Sequence, residues 1–257
     1  KHFLMIVLQN IMMKEFTIRS GLGHFQVYQK GFNEKREMGE NRLKTLIENY
    51  KKVFTILKSL PYVREVNPYI NVQGLLSDGK RSVNCYVSGV DPLRQKQFQG
   101  AAKLIKGQLL DEGDKYKIVI GKTLAKRLKV KVGKYLTLMT LSKHGAMNAL
   151  DFQVKGIVET GNRIWDTVRV DMPIKNAMEL LDVKGVESLI VLLEDTTKTT
   201  YVQNFFKKIM KKKNLNLETK NWLELAHTYK KVKSVFERFY TIAEIILIVM
   251  AVFAVMN

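Results

Sequence analysis

Ile118–Thr140 reads IVIGKTLAKRLKVKVGKYLTLMT. The apolar, β-branched start, taken with Lys117, predicts a short strand over Lys117–Ile120. A short Leu-Ala helix follows over Thr123–Leu128. Tyr135–Leu141 reads as a second strand. Gly121-Lys122-Thr123 looks like the end of a phosphate-binding loop. Such a loop needs a glycine five residues before its second glycine, so that backbone N–H groups can cradle phosphates. That position is Tyr116, and Gly113 is out of register. The segment therefore predicts a strand-to-helix turn that does not hydrolyse ATP.

Working outward, the same mixture of short strands and helices continues. Upstream, His24–Lys30 alternates with a period of two and predicts a half-buried strand. Asn41–Leu60 carries apolar residues at steps of three and four (Leu43, Leu46, Ile47, Tyr50, Val53, Phe54, Leu57) and predicts an amphipathic helix ended by Pro61. Tyr69–Leu76 and Arg81–Val90 predict a hairpin through Ser77-Asp78-Gly79-Lys80. Gly89-Val90-Asp91-Pro92 breaks the pattern. Downstream, Asp151–Glu159 and Thr167–Met172 read as strands. Pro173 leads into a helix over Ile174–Leu181, Ser188–Glu194 returns to strand, and Thr197–Lys213 is helical. From Asn221 onward one helix without Gly or Pro is predicted, with Leu223, Leu225, Val232, Val235 and Phe236 as its packing positions. These are set against one another or against Met12, Met13 and Phe16. The fold class is α+β.

The last helix turns uniformly apolar. Ile245 to Met256 has no polar side chain, and extending back to Phe239 adds only Tyr240, Thr241 and Glu244. Eighteen helical residues span about 27 Å, close to the ~30 Å hydrocarbon core of a bilayer. The expectation is a transmembrane segment that includes Ile245, Ile246, Leu247, Ile248, Val249, Met250, Ala251, Val252 and Phe253. Phe3–Met13 is too short to span and reads as the last turns of a first membrane helix, continued by residues 11–20. A signal peptide fits poorly, for lack of a small-residue cleavage site. The region between the two apolar ends is the folded domain.

Composition narrows the functions. The 257 residues hold 46% apolar side chains, enough for a core and too many for a disordered basic tail. The single cysteine, Cys85, excludes an internal disulfide framework and a multi-cysteine zinc site. His2, His24, His144 and His227 show no metal-ligand spacing, no nucleophile elbow occurs, and no carboxylates stand out as an acid–base pair. No catalytic residue, cofactor or metal is expected. Lys and Arg number 43 against 24 Asp and Glu, a formal charge of +19. The lysines are spread along the chain without a recognition helix or an RNA-binding aromatic motif, so nucleic acid is not an expected partner. The densest group, Lys207-Lys208 with Lys211-Lys212-Lys213, closes a helix whose dipole favours cations there. Lys14, Arg19, Lys230, Lys231, Lys233 and Arg238 flank the apolar ends and by the positive-inside rule favour the cytoplasm. That rule weakens for loops far longer than ~60 residues.

Several blocks resemble one family. Ser20–Phe32 (SGLGHFQVYQKGF) resembles the segment after the first transmembrane helix of lipoprotein-releasing permeases. Gly89-Val90-Asp91-Pro92, Ile118–Thr140 and residues 151–181 follow in the family's order and spacing. The chain is identified as a member of the MacB/FtsX/Lol class of ABC transporter permeases. The resemblance implies a two-lobed extracytoplasmic domain on helical stalks: a porter-like lobe split in sequence (21–92 and 186–220) and an inserted, β-rich sabre-like lobe (93–185). Residues 1–20 would end a first membrane helix, and 221–257 would be a stalk running into a second. It further implies the bacterial inner membrane with residues 21–220 outside the cytoplasm, a cytoplasmic ATP-binding subunit and a second permease subunit as partners, and contact with lipids. A periplasmic partner is a further possibility, but Ser142–Ala149 is short and lacks Pro, unlike the protruding hairpin that recruits a periplasmic carrier in lipoprotein release. The expected function is transmission of ATP-driven motion to move or release a lipoprotein, lipid, peptide or drug-like substrate. A membrane-anchored binding or sensor module without an ATPase is the alternative.

Overall fold

The computed structural model describes residues 18–95 and 102–256. The expectations placed on residues 1–17, including packing by Met12, Met13 and Phe16, lie outside them. Ten strands form one mixed sheet: β1 Phe25–Gln29, β2 Val63–Ser77, β3 Ser82–Val90, β4 Lys103–Gly107, β5 Lys117–Gly121, β6 Tyr135–Leu141, β7 Met147–Glu159, β8 Arg169–Pro173, β9 Ser188–Leu193 and β10 Leu217–Asn221. Their order is β10-β1-β9-β2-β3-β8-β5-β7-β4, with β6 paired to both β2 and β7. The β3–β8 and β5–β7 ladders are parallel. The described helices are α1 Phe32–Glu37, α2 Tyr50–Lys58, α3 Pro92–Gln95, α4 Lys122–Leu128, α5 Ile174–Leu181, α6 Thr199–Lys212, α7 Trp222–Leu225 and α8 His227–Met256. The fold is α+β, as expected.

Alternation along β9 shows how the sheet is buried. All six residues of Ser188–Leu193 are buried. Leu189, Val191 and Leu193 belong to the main core with Val53 and Leu57 of α2, Leu124 and Leu128 of α4, Ala177 and Leu180 of α5, and Val202 and Phe206 of α6. Ile190 and Leu192 point the other way, into a second cluster with Ile18, Trp222, Ala226 and Tyr229. A strand covered on both faces needs a continuous apolar run, and SLIVLL supplies it.

The strand order also locates residues 93–185. Strands β4–β8, all from within 93–185, lie together on one flank. Strands β1, β2, β3, β9 and β10 form the other. The flanks are not separate sheets: β8 pairs with β3 from Tyr86↔Arg169 to Val90↔Pro173, and β6 pairs with β2 at Leu75–Ser77. Both contribute to one core.

Four elements depart from the sequence expectation. Asn41–Leu60 is not one helix but a 3-10 turn at Arg42–Lys44, a β-bridge at Ile47 and then α2. Ile47 exchanges both backbone hydrogen bonds with Val186, at 2.8 and 3.2 Å, and these long-range bonds override the helical spacing. A Cβ on Gly185 would lie 2.9 Å from the Ile47 carbonyl oxygen, so that approach requires glycine. β2 begins at Val63, ahead of the expected Tyr69, and passes through Pro68. The Tyr69 carbonyl accepts from Glu187 on the β9 side. Pro68 therefore faces the other edge, beyond the last β3 rung at Tyr69↔Val90, where no donor is needed. The helix expected to run unbroken from Trp222 is interrupted at Ala226 (φ −82°, ψ 62°). Finally, among the described residues no helix is long and apolar enough to cross a membrane. The unbroken apolar run of α8, Ile245 to Met256, is about 18 Å long, and the turns before it carry Arg238 and Glu244.

Candidate functional site at the root of the long helix

α8 meets the folded body at a built joint. β10 pairs with β1 from Phe25↔Asn221 to Gln29↔Leu217 and then turns directly into α7. Asn221 caps that helix reciprocally: its side chain accepts from Glu224 N–H at 2.9 Å, and the Glu224 carboxylate accepts from Asn221 N–H at 2.9 Å. The Trp222 N–H donates to the His24 carbonyl at 2.9 Å. His24 is 2% exposed. Its Nδ1 accepts from Leu193 N–H at 2.9 Å. Its proton therefore sits on Nε2, which is 3.0 Å from the Thr196 hydroxyl. With its imidazole and its carbonyl together, His24 thus ties the start of β1 to the end of β9, the Thr196 turn and the start of α7. Gly23, at φ +68°, makes room: a Cβ there would lie 2.5 Å from Ile190 Cγ2.

The apolar part of the joint is Ile18, Ile190, Leu192, Trp222, Ala226 and Tyr229. The Trp222 and Tyr229 rings meet edge to face at 5.3 Å. Beyond Tyr229 the helix leaves the body. Val235 and Phe236 are exposed, as is every expected membrane residue from Ile245 to Phe253. Of the expected packing positions, Leu223 is exposed and Leu225 and Val232 are half-buried. The residues that seat the helix are Trp222, Ala226 and Tyr229. Their spacing of four and three, and the Asn-x-x-Glu capping signature before them, are both present in the sequence.

Beside the joint the sheet carries a buried polar layer. Tyr69 pairs with Ser88 at 3.2 Å, and Asn71 donates to the Tyr86 hydroxyl. Arg42 donates to the Asn71 carbonyl at 3.0 Å and lies 3.7 Å from the buried Glu187 carboxylate. Arg169 is paired with Asp171 at 2.7 Å, and Tyr86 packs on Trp165. Burial raises the Glu187 carboxyl above its ordinary range, opposed by Arg42 and Arg36. Burial likewise raises the Tyr28, Tyr69 and Tyr86 phenols. These groups serve each other as partners, and the layer has the character of a structural network.

The motifs weighed in sequence have structural uses. Lys122 Nζ is bound to Glu159 at 2.8 Å. Gly121 is needed because a Cβ would fall 2.3 Å from the Asp166 carbonyl oxygen. Cys85 is buried, and its thiol is pushed up to about 12 by that burial. Among the described residues no group of three metal-ligating side chains occurs.

A model of the MacB-like periplasmic core domain matches residues 4–209. The chain belongs to that family. Among solved structures it is similar to the periplasmic region of MacB from Actinobacillus actinomycetemcomitans, with 19% identity, a TM-score of 0.56, and coverage of 86% of this chain and 95% of that one. It is also similar to the extracellular domain of the ABC-type transporter YknZ from Gram-positive bacteria, with 12% identity, a TM-score of 0.52, and coverage of 65% and 87%. These likenesses show the fold, and the family match shows a MacB-like extracytoplasmic domain of the ABC transporter permease class.

Proposed function

We propose that this MacB-like domain transmits motion driven by a separate cytoplasmic ATP-binding subunit, within a permease that pairs with a second permease subunit. The observation that carries the reading is the joint. α8 is rooted through Trp222 and β10 into the sheet and then runs free of the body, which is how a rigid lever is mounted. Its exposed apolar end, Ile245 to Met256, would otherwise face water at a large cost, and lipid is the environment that suits it. In this reading the apolar end enters the bacterial inner membrane and residues 21–220 lie outside the cytoplasm. Displacement of the membrane half of α8 then pulls on β10 and moves the sheet. The substrate class is a lipoprotein, lipid, peptide or drug-like molecule.

Val235→Pro tests the lever. Val235 lies in the exposed part of α8, beyond the Trp222, Ala226 and Tyr229 cluster that seats the helix, so folding should be preserved. Proline there removes a helix hydrogen bond and kinks the rod at about 3 kcal/mol. The full permease carrying it, with its ATPase, should still hydrolyse ATP while transport falls at least tenfold. Normal transport would make α8 a tether and end the mechanical reading.

A further inference from the structure

The helix-covered face, opposite the Trp222 cluster, presents two stretches without a single acidic residue. Residues 196–217 contain Lys198, Lys207, Lys208, Lys211, Lys212 and Lys213 and no Asp or Glu. Residues 49–64 contain Lys51, Lys52, Lys58 and Arg64 and likewise no acid. The fold brings them together through aromatic rings. Tyr62 meets Tyr201 edge to face at 6.4 Å, and Tyr201 stacks on Phe205 at 6.4 Å one turn further along α6. The Lys198 ammonium lies 5.7 Å from the Tyr62 ring centroid. These three rings are 45%, 56% and 41% exposed, in chain order. Tyr62 adopts φ 63°, a conformation unfavourable for a bulky residue, held by a hydrogen bond from Glu194 N–H to its carbonyl.

We infer that this α2–α6 face is a docking surface for an acidic polypeptide that carries an aromatic or aliphatic anchor. Solvation or the helix dipole accounts for lysines at the end of α6, but for neither the exposed rings nor the strained tyrosine among them. A simple polyanion would need only the cations. Aromatic side chains at the centre with charges around them are the anatomy of a protein–protein contact. Glu194 and Asp195 border the surface near Tyr62, and Glu65 pairs with Lys58 at 3.1 Å, so the positive field is strongest along the exposed side of α6. α6 presents about 21 Å of that side, a size suited to a transient partner.

The test uses the full 257-residue chain in neutral detergent micelles and a fluorescent twenty-residue Glu-rich peptide containing two tryptophans, followed by anisotropy at about 150 mM salt. The parent chain should bind the peptide, and Lys208→Glu/Lys212→Glu should weaken binding at least tenfold. Lys126→Glu/Arg127→Glu on α4, an equal change of charge at exposed positions, should leave it within twofold. Tyr201→Ala/Phe205→Ala should also cost at least tenfold, while binding of inorganic polyphosphate is unaffected by that pair. The inference is overturned by an equal loss in the α4 variant, which would mean overall charge alone. It is equally overturned by indifference to the aromatic pair, by a tryptophan-free peptide or anionic phospholipid vesicles binding as tightly, or by no binding of the peptide.

Discussion

His24 holds three segments with one side chain and its own carbonyl, and sequence inspection gives no hint of it. A lone histidine at the start of a predicted strand has no spacing to mark it, because its partners Leu193, Thr196 and Trp222 are distant in the chain. Replacing it with alanine leaves the buried Leu193 N–H without its acceptor and empties the site. His24→Ala should lower stability by about 2–3 kcal/mol in urea unfolding and speed hydrogen exchange at the Leu193 amide. A loss below about 0.5 kcal/mol would make the histidine incidental to the joint. Glu187 sets a pH dependence. Its carboxyl is raised above the ordinary 4.5 by burial, with Arg42 and Arg36 pulling the other way. A group whose folded value is raised contributes fully below its unfolded value and loses that contribution as pH climbs through the folded one. Relative to the wild type, Glu187→Gln should therefore gain stability between pH 4.5 and pH 8. Urea midpoints of both proteins at the two pH values check this. The low-lying carboxyls of Asp78, Asp114 and Asp195 have the opposite sign but are common to both proteins and cancel in the difference.

Elements with their own local chemistry were readable, and elements made by distant pairing were not. β6 and α5 occur at the residues expected, because Tyr135–Leu141 is a short run of apolar and β-forming residues and Pro173 precedes a clean helical pattern. β10, whose residues are LETKN, has almost no apolar signal and exists because β1 lies beside it. The helix expected across Asn41–Leu60 failed for the same reason, since the Ile47–Val186 bridge is a tertiary bond that no local window contains. At the joint, the Trp222, Ala226 and Tyr229 spacing was legible, but the break at Ala226 was not. Gly121 illustrates how a motif acquires a second meaning in three dimensions. Its lack of a side chain lets the 3-10 turn at Trp165–Thr167 pack on the β5–α4 corner. Gly121→Ala forces the Asp166 backbone away and should cost about 1–3 kcal/mol. Urea unfolding measures it, and unchanged stability would mean the corner yields freely.

At the scale of the molecule, β2 is the strand that joins the two flanks. Its 15 residues extend for about 50 Å and pair with β9 at one end and β6 at the other. Because the ladders and the core continue through it, the flanks should unfold together. The two tryptophans lie one on each side, Trp165 within residues 93–185 and Trp222 at the joint. Trp165→Phe and Trp222→Phe each leave a reporter for one flank. Unfolding curves normalised to each variant's own stability, measured independently by circular dichroism, should coincide with the fluorescence in both. A fluorescence transition that departs from the circular dichroism in either variant would reveal a separately melting flank. The same continuity governs how such a protein diversifies. Residues 93–185 run from the end of β3 to the start of β9, strands that lie on either side of β2, and they cannot be exchanged between relatives as a free cassette. A donor segment must reproduce the rungs from Tyr86↔Arg169 to Val90↔Pro173 and the contact of β6 with Leu75–Ser77, or bring its own β2–β3 hairpin. New specificity is then most readily acquired where the flank has no such obligation, along the outer edge of β4, the last strand in the sheet order.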